Sequence, residues 1–126
     1  MRPIALLVDD DQPLRGYVSA VLRQGGFEVV EAADGTDALA MLQRMDGTVD
    51  VLVTDIRMPR MTGIELVRAV KNEYPGIPVV YISGEALRDE LHAARVAFLQ
   101  KPFAPPAVLD AVRTVMGAGA RRQAGR

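Results

Sequence analysis

Short apolar runs alternate with segments of helical period along this chain, and that alternation constrains its fold more than any other feature. The runs occupy residues 4–8, 28–32, 49–54, 79–82 and 96–99, and most are rich in β-branched or aromatic residues, which favours strands. The first, third and fourth are largely apolar, so they are expected as central strands covered on both faces. Between them, Leu14, Tyr17, Val18, Val21 and Leu22 form a helical stripe. Asp11 is expected to cap that helix, Pro13 falls in its first turn, and Gly25-Gly26 ends it. Ala38, Leu42 and Met45 form a second stripe, ended near Gly47. Leu66, Val67, Val70 and Tyr74 form a third, after Gly63 and before Pro75. Val108, Leu109, Val112, Val115 and Met116 form the last, led in by Pro105-Pro106. Residues 85–95 carry only a thin stripe of Leu87, Leu91 and Ala94, and read as a short helix. Five βα units with short links predict an α/β fold: a parallel sheet of order 2-1-3-4-5, flavodoxin-like, in a three-layer (βα)5 sandwich. One domain is expected over residues 1–116. Residues 117–126, rich in Gly, Ala and Arg, are expected as a disordered tail or linker.

Composition removes several chemistries. The chain has 126 residues, no cysteine and one histidine, His92. That excludes a disulfide scaffold, a thiolate metal site, a cysteine nucleophile and a multi-histidine metal site. A net charge of -1, with 5% aromatic residues and no tryptophan, gives no general pull toward nucleic acid or an anionic membrane. No run approaches the roughly 18 to 20 apolar residues of a membrane span. Met1-Arg2-Pro3 leads into a strand with no signal-peptide pattern, so a cytoplasmic protein is expected. Three of the 15 basic residues, Arg121, Arg122 and Arg126, fall in the expected tail, which leaves the remainder acidic.

Ligands of open α/β sheets bind beyond the carboxyl ends of the strands. Asp9, Asp10 and Asp11 follow the first run here. Asp55 ends the third, Ser83-Gly84 the fourth, and Gln100-Lys101-Pro102 follows the fifth. Carboxylates gathered at one rim repel each other unless a cation or protons intervene. Oxygen donors without His or Cys favour Mg²⁺ or a similar hard ion (Mn²⁺ being the alternative). Lys101 and the Ser83 hydroxyl add donors for phosphoryl oxygens, so the residues point to phosphoryl transfer onto Asp55.

With those residues in view, the chain resembles the receiver domains of two-component response regulators. The resemblance covers residues 4–116. It rests on Leu7-Val8-Asp9-Asp10-Asp11, on Thr54-Asp55-Ile56-Arg57-Met58-Pro59-x-Met61-x-Gly63, on Ile82-Ser83-Gly84 and on Lys101-Pro102-Phe103. It implies that Asp55 accepts a phosphoryl group from the phosphohistidine of a histidine kinase or histidine phosphotransfer protein. Asp10 is implied as a direct metal ligand and Asp9 as one acting mainly through water. Asp55 and the backbone carbonyl of Arg57 complete the protein's share of the metal shell. Ser83, Lys101 and Phe98 are implied as the phosphoryl-binding and switch residues, with a cis Lys101–Pro102 bond. Such a module promotes only its own phosphorylation and dephosphorylation, works as a monomer or weak dimer, and switches the binding of an output partner the sequence does not name.

Three departures stand out. Phe98 lacks the hydroxyl of the commoner Tyr. The stretch between Ser83 and Lys101 is short by about one helical turn, which predicts a shortened fourth helix. The run at 96–103 looks most like receiver segments of hybrid sensor kinases. Arg57 and Glu85 stand two residues beyond the acceptor and the switch hydroxyl, where the family tunes dephosphorylation, and their opposite charges are expected to pair. Other readings stay open. A metal-dependent phosphohydrolase would ordinarily carry a second acid where Arg57 stands. A flavin carrier would need a phosphate-cradling loop in place of Asp9-Asp10-Asp11. A receiver used only as a docking scaffold would not need the full set of acids, hydroxyl and lysine.

Overall fold

Side-chain alternation along the strands divides the core into two layers. The structure, a computed structural model, describes residues 2–84 and 96–124, with side chains to residue 117. The elements are β1 (Ile4–Val8), α1 (Gln12–Gln24), β2 (Glu28–Ala32), α2 (Gly35–Arg44), β3 (Val51–Asp55), α3 (Gly63–Glu73), β4 (Val79–Ser83), β5 (Val96–Gln100) and α4 (Pro105–Ala124). The strands form one parallel sheet in the order β2-β1-β3-β4-β5, the flavodoxin-like arrangement that the alternation predicts. Ala5, Leu7, Val51, Val53, Val80 and Ile82 face one side, where Val18 and Leu22 of α1 and Val108 and Val112 of α4 cover them. Leu6, Val8, Leu52, Val79 and Tyr81 face the other, under Ala38 and Leu42 of α2 and Leu66, Val67 and Val70 of α3. Fully burying each larger side chain of this kind contributes about 1.5–3 kcal/mol, so both helix layers are held mainly by packing.

Caps fix where the helices begin, and so shape the loops at the carboxyl rim of the sheet. Asp11 Oδ1 accepts the Leu14 N–H at 3.2 Å and Asp34 Oδ1 accepts the Asp37 N–H at 2.8 Å. Thr62 and Glu65 cap α3 reciprocally, at 3.1 and 2.9 Å. At the opposite rim, Gly26 at φ 97° and Gly47 at φ 71° take the left-handed backbone that ends α1 and α2.

The elements depart from the sequence pattern in informative places. β3 begins at Val51, because Val49 donates its N–H to Gly47 O in a turn and is buried from there. It runs on to Asp55, which pairs with Ile82; β4 likewise includes Ser83, which pairs with Gln100. Asp55 and Ser83 are thus the last residues of strands and share the sheet's rigidity. Met45 and Tyr74 cap the ends of α2 and α3. The boundary expected at Met116 is not marked by a break in the backbone. Helix α4 continues through Gly117 and Gly119 to Ala124, over a stretch where Ala, Arg and Gln, all good helix formers, outnumber glycine. The shortened fourth helix expected within 85–95, with Glu85 and His92, lies outside the described residues.

Candidate functional site

The turn from β1 into α1 has to carry the acidic pair, and the sheet decides which acid is buried. Asp9 follows the last residue of β1, donates its N–H to Ala32 O at 3.2 Å and is fully buried. Asp10, next in the chain, is exposed. Asp55 ends the neighbouring central strand and is almost fully buried. Carboxylate oxygens of Asp9, Asp10 and Asp55 lie within 4.8 Å of one another.

The hydrogen bonds leave a distinct gap in this cluster. Asp9 Oδ1 accepts the Asp11 N–H at 2.9 Å, while the buried Oδ2 finds no hydrogen-bond partner among the described residues. A buried carboxylate oxygen without a donor is costly unless a cation or a proton meets it. Burial pushes the Asp9 carboxyl up from its ordinary 3.8 to about 6. The Asp11 N–H opposes that rise, Asp55 and Asp10 add repulsion, and Lys101 offsets part of it. Three carboxylates gathered in this way, one of them with a buried oxygen that lacks a donor, fit a hard divalent cation.

Asp55 is held from two sides. Its Oδ1 accepts the Ile56 N–H at 2.8 Å, and its Oδ2 lies 3.4 Å from Lys101 Nζ. Ser83 is buried at the end of β4, and its carbonyl accepts the Lys101 N–H at 2.7 Å, which ties hydroxyl and ammonium to one rim. The Lys101–Pro102 bond is cis. Asp10, Asp11, Asp55, Arg57, Gly84 and Lys101 line an open cleft of about 520 Å³ over these groups. Gly63 lies close beneath: a Cβ there would collide with the Asp55 carbonyl oxygen, so the loop after Asp55 folds back only with glycine at that position.

The candidates from the sequence do not all meet at the cleft. Asp9, Asp10, Asp55 and Lys101 come together, with Ser83 at the adjacent strand end. Arg57 lines the cleft; Glu85, its expected partner, lies outside the described residues. Phe98 is not among the lining residues. Its ring packs into the second core, stacked on Tyr81 with centroids 5.6 Å apart. Two residues escaped the sequence reading. Tyr81 is one, because its contact depends on the β4–β5 register. The other is Arg15, whose Nη1 donates to Asp9 O at 2.7 Å. Its signal was faint: an arginine one turn into α1, and Glu31, the charge in the interior of β2.

An acidic pocket at the carboxyl rim of a 2-1-3-4-5 parallel sheet, with a lysine on its central carboxylate, defines a flavodoxin-like α/β domain with a candidate cation site. A family model, the response regulator receiver domain, matches residues 5–113, and the chain belongs to that family. It is therefore a receiver domain of two-component systems, a family whose general role is to accept a phosphoryl group. A response regulator receiver protein of Anaeromyxobacter sp. (strain Fw109-5) is 39% identical over 109 residues, covering 83% of this chain and 45% of that protein. The sensor kinase CckA of Brucella abortus is 34% identical over 115 residues, covering 88% of this chain and 12% of the kinase. The chain thus spans less than half the length of these two relatives, and kinase-borne receivers are among its homologues. The structure of chemotaxis protein CheY4 from Vibrio cholerae superposes with a TM-score of 0.82 at 34% identity, covering 91% of this chain and 99% of that one. Among the described residues, no helix is long and apolar enough to cross a membrane.

Proposed function

We propose that this chain is a phosphoacceptor module that takes a phosphoryl group onto Asp55 from the phosphohistidine of a histidine kinase or phosphotransfer protein. The observation that carries the reading is the convergence of the Asp9, Asp10 and Asp55 carboxylates, with Asp9 Oδ2 lacking a hydrogen-bond partner among the described residues and Lys101 Nζ on Asp55. An Asp55 oxygen attacks phosphorus; the new P–O bond forms as the P–N bond breaks, and the electron pair leaves on the imidazole nitrogen, which then takes a proton. Asp9, Asp10, Asp55 and the Arg57 carbonyl would hold Mg²⁺ (or Mn²⁺), which supplies positive charge to the transferring phosphoryl oxygens when bound. Lys101 exchanges its Asp55 contact for those oxygens, and the Ser83 hydroxyl donates to another. Arg57 occupies the position where a phosphohydrolase would carry its second acid. The domain accordingly promotes only its own phosphorylation and dephosphorylation. Arg57 at the cleft mouth tunes how water reaches the acyl phosphate.

The test is incubation with Mg²⁺ and acetyl phosphate, followed by intact mass. One phosphoryl adduct is expected in the wild type, lost in Asp55→Asn and on chelation of the metal. No adduct in the wild type, or an undiminished one in Asp55→Asn, overturns the reading.

A further inference from the structure

The acids of the site sit on a turn, and a turn of charged residues at a strand end holds its shape only if its main chain is tied down. Two ties start from main-chain N–H groups of the turn: Asp9 N–H to Ala32 O at the end of β2, and Asp11 N–H to Asp9 Oδ1. The third comes from a side chain. Arg15 Nη1 donates to the Asp9 carbonyl at 2.7 Å, while its Nε donates to Glu31 Oε1 at 3.1 Å. Its side chain is only 16% exposed, so the contact is not a loose surface one. Glu31 is anchored in β2, paired with Leu7 of β1, and its other oxygen lies 3.7 Å from Arg23 Nη2, two turns along α1 from Arg15.

We propose that Arg15, held by Glu31, is the positioning residue of the acidic pair: it fixes the Asp9 main chain and thereby sets how tightly Asp9, Asp10 and Asp55 bind a divalent cation. The physical case rests on geometry. A guanidinium is a planar fork, and here its two donors span two different acceptors, one on the turn and one on an edge strand. Charge-assisted hydrogen bonds are the stronger class, and this one locks a peptide unit adjacent to two ligands. Arg15 touches the Asp9 carbonyl and not its carboxylate, so it orients the ligand without competing for the cation. Ion pairing with Glu31, whose other oxygen faces Arg23, holds the fork in place. The inference rests on the metal-binding reading above and adds to it a residue outside the cleft.

The experiment is calorimetric titration of the purified chain with Mg²⁺, alongside amide hydrogen exchange of the metal-free protein. Arg15→Ala is expected to weaken Mg²⁺ binding about tenfold, as removal of an outer partner of a metal ligand typically does, and to speed exchange at Asp9 and Asp11. Arg15→Lys keeps the charge and the fold but not the two-point fork; its affinity is expected closer to the alanine variant than to the wild type. Glu31→Ala is expected to weaken binding in the wild-type background and to add nothing in the Arg15→Ala background. Wild-type affinity in either Arg15 variant overturns the proposal, as does a full additional loss from Glu31→Ala when Arg15 is already gone. If the wild type itself fails to bind Mg²⁺, the metal reading falls. Exchange then decides: unchanged rates at Asp9 and Asp11 in Arg15→Lys overturn the positioning role too, and faster rates support it.

Discussion

The rings of Tyr81 and Phe98 stack across β4 and β5, with centroids 5.6 Å apart and planes 14° from parallel, at positions that face each other in the strand register. The contact joins the edge strand β5 to the interior of the sheet on the face covered by α2 and α3. Any movement of Phe98 toward the cleft must first give up this stack, a geometry worth about 0.5–1.5 kcal/mol beyond area burial.

Phe98→Ala is therefore expected to destabilise the domain by about 2 kcal/mol, below the range for a fully buried phenylalanine because this ring is only partly covered. Urea denaturation of Phe98→Ala, Tyr81→Ala and the double variant should return a coupling of about 1 kcal/mol. Additive losses would show that the rings do not depend on each other.

The Asp9 carboxyl sets a pH dependence whose sign differs from that of a salt-bridged acid. Its folded-state value, about 6, lies above the ordinary 3.8. The folded protein therefore holds this proton more tightly than the unfolded chain does. Above pH 6 the ionised group opposes folding by roughly 3 kcal/mol, at 1.36 kcal/mol per pH unit. That penalty fades as the pH falls from 6 toward 4. Metal-free Asp9→Asn is expected to be more stable than wild type at pH 8 by about 1–3 kcal/mol, with the gap closing by pH 4.5. Mg²⁺ should reverse the order at pH 8, and wild-type Mg²⁺ affinity should drop as the pH falls through 6. Urea melts at the two pH values, with and without Mg²⁺, measure all three effects. A wild type less stable at pH 5 than at pH 8 through loss of Asp9 charge would contradict the sign.

The strands at 4–8 and 28–32 coincide with β1 and β2, because there the apolar run and the hydrogen-bonded run begin and end together. β3 is offset because burial and pairing are separate: Val49 is buried while its N–H closes a turn. The meeting of Asp9, Asp10 and Asp55 was legible because a parallel sheet places consecutive strand ends on one rim, so position along the chain suffices. Arg15 was not legible, since its partners sit on a turn and on β2, and on a helix an isolated arginine looks like any solvated one. The Tyr81–Phe98 stack needs the register of two strands, which alternation alone does not specify. The run of α4 through residues 117–124 was not legible, because a Gly/Ala/Arg-rich stretch carries no apolar stripe to mark a helix.

Ser19 offers a test of how polar groups are accommodated behind the site. It is buried in α1, one turn from both Arg15 and Arg23, and its Oγ has no hydrogen-bond partner among the described residues. Ser19→Ala removes an unsatisfied buried hydroxyl and improves helix propensity. It is expected to raise stability by about 0.5–1 kcal/mol, read as a higher urea midpoint at unchanged slope. A loss of more than about 1 kcal/mol would mean that the hydroxyl has a partner.

Gly63 links β3 to α3 through contact with the main chain rather than with a side chain that could turn away. It donates its N–H to Ile56 O at 2.8 Å, and the space for a Cβ is taken by the Asp55 carbonyl oxygen. Gly63→Ala must push the start of α3 away from β3, since neither backbone can yield alone. Helix propensity favours alanine by about 1 kcal/mol, but overpacking against backbone typically costs about 1–3 kcal/mol, and the steric effect wins where the obstacle is rigid. The expected result is a net loss of about 1–2 kcal/mol in urea denaturation, together with a slower rise of the acetyl phosphate adduct, because Asp55 moves with its carbonyl. A more stable Gly63→Ala with an unchanged phosphorylation rate would show that α3 shifts without disturbing Asp55.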